Sequence, residues 1–450
     1  MTRRPIIVFA LLLLLAATTA AAGEPATGAA APPREELARW VADLDASSFA
    51  TREAATRRLV QAGASAVPLL AELAEWGEDG ANHNAVSLER IDRTLAILSA
   101  DANEGNTETG SAALAAIERL STAADARLAH RAREALSRER AWQQALAIAA
   151  IERLGAVVQS ADGGDADLLG ESDDPDAPQA TSVRIGSGWR GGDSGVAGLA
   201  GITGLRVLSF EESRVTDAAL PHLARLAQLE RLYLGPSHMR AAGLHHLASL
   251  PALRHLSLRG LSLADSAYTE LAGLGQLESL GLDDTALSDQ RIDQLAQLTS
   301  LRMLWLNGTR VTDAGLAQFA PLVNLTHLEL AHTAVNGSQL AALKPLARLR
   351  FLTLEDTPVD DRGAEQLSQL TQLTSLGLDR TRVTDAGVAH LANLERLETL
   401  WLSGTAVTDA GLKHLARLKQ LRALHLEDTA VSDAAVSALG QALPEADITR

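Results

Sequence analysis

"LRMLWLNGTRVTDAGLAQFAPLVN" (residues 301–324) opens like a strand and closes like a helix. Leu304 and Leu306 alternate with period two, whereas Leu316, Phe319 and Leu322 fall every third residue, on one face of a helical segment. Working outward, the same pattern restarts at Leu205, Leu229, Leu253, Leu277, Leu301, Leu325, Leu349, Leu373, Leu397 and Leu421, each 24 residues after the last. The unit from Leu397 places Leu400, Leu402, Val407, Leu412, Leu415 and Leu418 at the matching positions. One such unit buries too little apolar surface to offset the entropy of ordering its backbone. Units must therefore stack, each laying its leucines on its neighbours' and adding its strand to a continuous parallel sheet. An insertion inside a strand would break the register that all neighbours share, which accounts for the strict period.

The motif LxxLxLxxTxVTDAGLxxLxxL resembles the leucine-rich repeat family, nearest the variety seen in F-box-associated receptors and in many exported bacterial proteins; the match runs from Leu205 to Leu443. The resemblance implies an α/β solenoid, a horseshoe with a parallel β-sheet on its concave face. Where that variety places cysteine and others asparagine, this chain has Thr285, Thr309, Thr333, Thr357, Thr381, Thr405 and Thr429. Their hydroxyls are expected to point inward and bond loop backbone groups. Thr-Asp at 312–313, 384–385 and 408–409, with Ser-Asp at 288–289 and 432–433, precedes each helical half. These pairs read as helix caps rather than as a row of catalytic aspartates. Residues 183–204, "VRIGSGWRGGDSGVAGLAGITG", read as an irregular leading coil whose strand is displaced by one residue. "ALAIAAIERLGAVV" (145–158) is expected to cover the open N-terminal end of the stack, and "LPEADI" (443–448) to finish the other.

The rest of the chain divides by composition. Arg3 and Arg4 precede an apolar run from Ile6 to Ala17 and small residues at Ala20–Ala22, so residues 1–22 read as a secretory signal peptide. The expected location is then periplasmic or extracellular. An uncleaved membrane anchor is the rival reading, and Thr2-Arg3-Arg4 also fits a twin-arginine signal. A linker (23–33) leads to a helical region (34–160), an acidic loop (161–181) and the repeats (182–450). In the helical region Leu37, Trp40, Val41 and Leu44, then Phe49, Ala54, Leu59 and Val60, recur at helical spacing. Residues 43–73 are similar to the helical hairpins of HEAT-like repeat proteins; an unclassified helical bundle is the alternative. The stretch 161–180 has seven acids and no base, and Glu171 sits at the wrong offset to close a hand-type calcium loop.

Forty Lys and Arg against 56 Asp and Glu give a formal net charge of -16, which argues against nucleic acid as a partner. With no cysteine, disulfides, thiol catalysis and thiolate metal sites are excluded. There is no Gly-rich phosphate loop, G-x-S-x-G or H-E-x-x-H, so neither a catalytic residue nor a cofactor is expected. Ser257, His255 and Asp283 could meet by coincidence on one face, with nothing to orient them. His222, His246, His390 and His414 share one place in the unit, yet a pair without a third ligand makes no zinc site.

Function is left to the variable positions. In the repeat fold, places three, five, seven and eight of each unit face the concave side. The candidates for partner binding there are Tyr233, His255, Asp283, Met303, Trp305, His327, Glu329, Phe351, Glu355, Trp401 and His425. Aromatic residues are only 3 % of the chain, yet Trp305, Phe351 and Trp401 all fall on this face. Large rings framed by carboxylates serve protein and peptide interfaces as anchors. The expectation is a non-catalytic scaffold for a protein or peptide ligand, with a basic one favoured by the carboxylates. A carbohydrate or cell-wall receptor would use the same rings by stacking on sugars. A ubiquitin-ligase substrate receptor follows from fold analogy alone, and the signal peptide and the lack of an F-box segment speak against it.

Overall fold

The 24-residue period becomes a ladder. A computed structural model of the chain describes residues 32–44, 46–62, 65–72, 94–95, 97–98, 108–122, 126–160 and 181–450. The expected signal peptide, nearly all of the linker and nearly all of the acidic loop lie outside the described residues. Two compact units divide the chain, Met1–Gln143 and Gln144–Arg450.

In the second unit thirteen strands form one sheet in chain order. They are β1 (Ala156–Ser160), β2 (Thr181–Ile185), β3 (Leu205–Phe210), β4 (Arg231–Tyr233), β5 (His255–Ser257), β6 (Ser279–Gly281) and β7 (Met303–Trp305). Then follow β8 (His327–Glu329), β9 (Phe351–Thr353), β10 (Ser375–Gly377), β11 (Thr399–Trp401), β12 (Ala423–His425) and β13 (Asp447–Thr449). From β3 to β12 all pairs are parallel and each residue faces its equivalent one period on, as Gly281 faces Trp305 and Trp305 faces Glu329. The register is thus the sequence period itself. The fold is a leucine-rich α/β solenoid with its parallel sheet on the concave face.

The N-terminal end departs from that pattern, whereas at the other end β13 keeps the parallel 24-residue register with β12. Strand β2 meets β3 with a register shift at Thr181/Ser182, the displacement expected of the leading coil. Strand β1 is a correction, since sequence reasoning leaves residues 156–160 in the helical region. Gly155, at φ 97, turns the chain after the helix, and β1 pairs antiparallel with β2. Only glycine enters that conformation freely, and Gly188 O lies 2.2 Å from where a Cβ on Gly155 would sit. Before the turn, Ala147, Ile148, Ile151 and Leu154 pack on the first leucines, covering that end as expected.

Between rungs the wall is built from repeated polar devices. Each ladder threonine donates its hydroxyl to the carbonyl three residues earlier, Thr309 to Leu306 at 2.6 Å and Thr357 to Leu354 at 2.5 Å. The residue before each threonine is left-handed even without glycine: Asp284, His332, Asp356, Arg380 and Asp428 have φ between 51 and 57. Its N–H donates to the next coil, His332 to Glu355 O at 2.8 Å and Arg380 to Ser403 O at 2.7 Å, which holds a conformation that side chains otherwise avoid.

The Thr-Asp and Ser-Asp pairs cap their helices as expected at Thr312, Thr384, Thr408 and Ser432, whereas Ser288 makes no capping bond, and the aspartates add a second role. Thr312 caps its own helix, accepting from Ala314 N at 3.2 Å. The helices start at the aspartate itself, as in Asp385–Leu391, so its carboxylate lies past the cap and bridges to the following coil. Asp385 accepts the Thr408 amide at 2.8 Å and hydroxyl at 2.7 Å, and Asp289, Asp361 and Asp409 do the same for Thr312, Thr384 and Ser432.

The first unit is helical. Its described helices are α1 (Arg34–Asp43), α2 (Phe49–Ala62), α3 (Val67–Glu72), α4 (Glu108–Leu120) and α5 (Ala126–Arg153), of which α5 continues into the second unit. Leu37, Val41, Leu44, Leu59, Leu70 and Ile117 form its core. Phe49, a core position by spacing, is instead 60 % exposed: it opens α2, and its ring lies beside the Arg52 guanidinium at 5.9 Å.

Candidate functional site

Along β4, β5, β7, β11 and β12 a buried leucine separates two half-buried side chains, as in Met303-Leu304-Trp305. Period-two alternation therefore presents places three and five to the open side. On β8 to β12 these side chains form a continuous run of rings. His327 stacks on Phe351 with centroids 5.5 Å apart, Phe351 meets Trp401 edge-on at 6.1 Å, and Trp401 lies parallel to His425 at 5.7 Å. Phe351 and Trp401 stand two rungs apart and meet across β10, where place five is Gly377. A Cβ on Gly377 would lie 2.6 Å from Thr353 Oγ1, so any larger residue there would have to displace the Thr353 side chain.

A second group surrounds Trp305, with Asn307 as its hub. The Asn307 backbone N–H donates to Asp283 at 3.0 Å, its side-chain amide donates to Glu329 at 2.6 Å, and its side-chain oxygen accepts from Ala331 N at 2.8 Å. Burial pushes the Asp283 carboxyl above the usual range, with the Asn307 bond and Arg259 acting against it. Glu329 is pushed up by burial and further by Asp283, while Asn307 and the Trp305 ring oppose the shift.

Next to the aromatic run, Glu355 is raised by burial and by Asp379, and Asp379 is raised by burial against the opposing bond from Ser403 N at 2.6 Å. Arg380 stands beside them, 2.7 Å from Asp356 and 3.7 Å from Glu355, and holds Asp356 low. Glu427, bonded by the Ser403 hydroxyl at 2.5 Å and by Thr449, is pulled down to about 2. His255 and His327 are both pushed down by burial. The inner wall thus sets aromatic faces beside carboxylates that ionise against a desolvation penalty, an arrangement suited to a cationic or hydrogen-bond-donating group.

Of the residues singled out from sequence, Asp283, Trp305 and Glu329 come together around Asn307, with Met303 on the same strand as Trp305. His327, Phe351, Trp401 and His425 form the ring run, and Glu355 adjoins it through Asp379. Tyr233 and His255 lie on β4 and β5 beside Arg231 and join neither group. Sequence reasoning did not single out Asn307, Gly377, Thr353 or Ser403. Glycine at place five one rung before each tryptophan was the available signal.

The Ser257, His255 and Asp283 trio is not assembled. His255 has Arg231, Glu278, Glu230 and Arg254 as charged neighbours, and Asp283 is engaged by Asn307 and Arg259. The His246 ring packs against His245 at 4.2 Å. Among the described residues no three His, Asp or Glu side chains converge for a metal ion, and no helix is long and apolar enough to cross a membrane.

No protein-family model and no curated protein matches the chain. Among solved structures, it is similar to an internalin from Listeria monocytogenes, with 24% identity and a TM-score of 0.45 over 56% of this chain and 69% of that one. An LRR protein from Leptospira interrogans aligns at 17% identity and a TM-score of 0.35, over 56% of this chain and 80% of that one. A plant peptide hormone receptor aligns at 14% identity and a TM-score of 0.33, over 52% of this chain and 49% of its own, so about half of that receptor is spanned.

Proposed function

We propose that this chain is an exported, non-catalytic scaffold that holds a protein or peptide on the concave face of its leucine-rich solenoid, around Trp305, Phe351 and Trp401. The observation that carries the reading is the run of contacting rings from His327 to His425. In a chain with 3% aromatic residues, this concentration on one wall serves no packing need of the leucine core. A basic ligand is favoured, because Glu329, Glu355 and Asp379 ionise against burial and a cation placed beside them recovers that cost. Export rests on the character of residues 1–22, and the HEAT-like reading of the helical unit on residues 43–73.

Replacing Trp305 and Trp401 together by alanine is expected to weaken capture of the partner from the extracytoplasmic compartment at least about tenfold, as for interface anchors generally, while circular dichroism stays unchanged. Undiminished capture would discard this face as the site. Binding to a glycan array, with no protein captured, would transfer the same rings to a carbohydrate receptor.

A further inference from the structure

Place five of the ten regular rungs reads Ser209, Tyr233, Ser257, Gly281, Trp305, Glu329, Thr353, Gly377, Trp401 and His425. The order hydroxyl, glycine, tryptophan occurs twice, and each member of the second set lies four 24-residue periods after its counterpart. The geometry repeats as well. A Cβ on Gly281 would lie 3.2 Å from Ser257 Oγ, and one on Gly377 would lie 2.6 Å from Thr353 Oγ1. On each glycine rung an aspartate accepts the place-seven amide of the tryptophan rung: Asp283 from Asn307 at 3.0 Å, Asp379 from Ser403 at 2.6 Å. Thr353 is only 7% exposed, its hydroxyl has no hydrogen-bond partner, and it is directed at the glycine gap beside Trp401.

From this duplication we infer that the inner wall carries two corresponding subsites, Trp305 with Asp283 and Trp401 with Asp379, the second with its indole already stacked on His425, that hold two arginine side chains six residues apart on an extended segment of the partner. The inference rests on the concave-face reading above and adds the ligand's charge and spacing. A guanidinium matches both parts of each subsite, packing against the indole, at Trp401 on the side away from the stacked His425 ring, while its N–H groups donate to the carboxylate. The formal net charge of -16 suits a basic segment. Four rungs at about 4.8 Å separate the tryptophans by about 19 Å, and an extended chain rising about 3.3 Å per residue covers that in about six residues. Side chains six apart also share one face of an extended chain, whereas a separation of five or seven turns the second to the opposite face.

The test titrates the full chain with labelled, otherwise uncharged synthetic peptides carrying one arginine, or two arginines five, six or seven positions apart. The six-spaced peptide is expected to bind at least about tenfold more tightly than the other three, as two linked contacts do when the linker matches the span. Trp305→Ala and Trp401→Ala should each reduce it to the single-arginine level, with phenylalanine at either position retaining part of the gain. Should an alanine variant unfold, the isosteric Asp283→Asn and Asp379→Asn carry the same expectation. Equal affinity for all three spacings, lost on the tryptophan exchanges, overturns the pairing and leaves concave-face binding standing. Binding that survives both exchanges, or no binding by any peptide, overturns the subsites themselves, while the concave face remains tested separately by partner capture.

Discussion

In the seven rungs from Thr285 to Thr429 a threonine hydroxyl ties down the loop backbone, and its worth is measurable. Thr333 is buried and donates to the Leu330 carbonyl at 2.6 Å. Thr333→Val keeps the volume and leaves that carbonyl unpaired, so a loss of about 1–3 kcal/mol is expected in urea unfolding. Titration offers a second test at this scale. Glu329 has a folded pKa above its ordinary 4.5, so the fold binds its proton more tightly than the unfolded chain does. The stability linked to that proton is present below pH 4.5 and lost as pH rises through the raised value. Glu329→Gln should therefore raise the melting temperature at neutral pH, with the gain vanishing in acid. Glu427 has the opposite sign: depressed to about 2, it contributes stability above pH 4.5 that is lost as pH falls towards that value. Glu427→Gln should therefore lower the melting temperature at neutral pH, modestly, because the side chain is 47% exposed.

At the scale of the element, the short helices of the outer wall are held less by their own hydrogen bonds than by the coil before them. Helices of one or two turns are marginal alone. The aspartate that begins one helix carries the bonds to the next, and Asp313 does so from a buried position. It is 5% exposed and accepts from Asn336 N at 2.7 Å and Gln339 N at 3.0 Å. Asp313→Ala strands both amides and should cost about 2–3 kcal/mol by equilibrium denaturation. The same exchange at Asp409, which is only partly buried, should cost less. Hydrogen exchange would show the loss spreading into the coil that follows Asp313, since that coil holds the released amides.

For the whole molecule, stability is a property of neighbours. Leu328 sits between Leu304 and Leu352 in the parallel register, so no rung can slip without displacing two others. One residue inserted after Leu328 would turn Leu330 away from the core and place Glu329 among the leucines. Amide protection should then fail first in β7 to β9 and the unfolding transition should broaden, as in repeat arrays whose coupling is interrupted. A sharp, unshifted transition would mean that the rungs are energetically independent.

Periodicity alone determined the solenoid. The leucines at 24-residue intervals dictate a stacked strand and helix, and the pairing of β3 to β12 follows that interval because any other register would bury polar side chains. The threonine ladder and the position of Trp305 and Trp401 beside the buried strand leucines were legible for the same reason. What only the tertiary structure decided are relations between coils. The aspartates beside the caps bond forward to the next rung, and Phe351 reaches Trp401 over Gly377. Asn307 binds two carboxylates into one cluster, while Ala156–Ser160 leaves the helix to pair with β2. Each depends on distances across the stack. A repeating sequence states which residues are equivalent, but equivalence does not say which way a side chain leans or which neighbour accepts its proton.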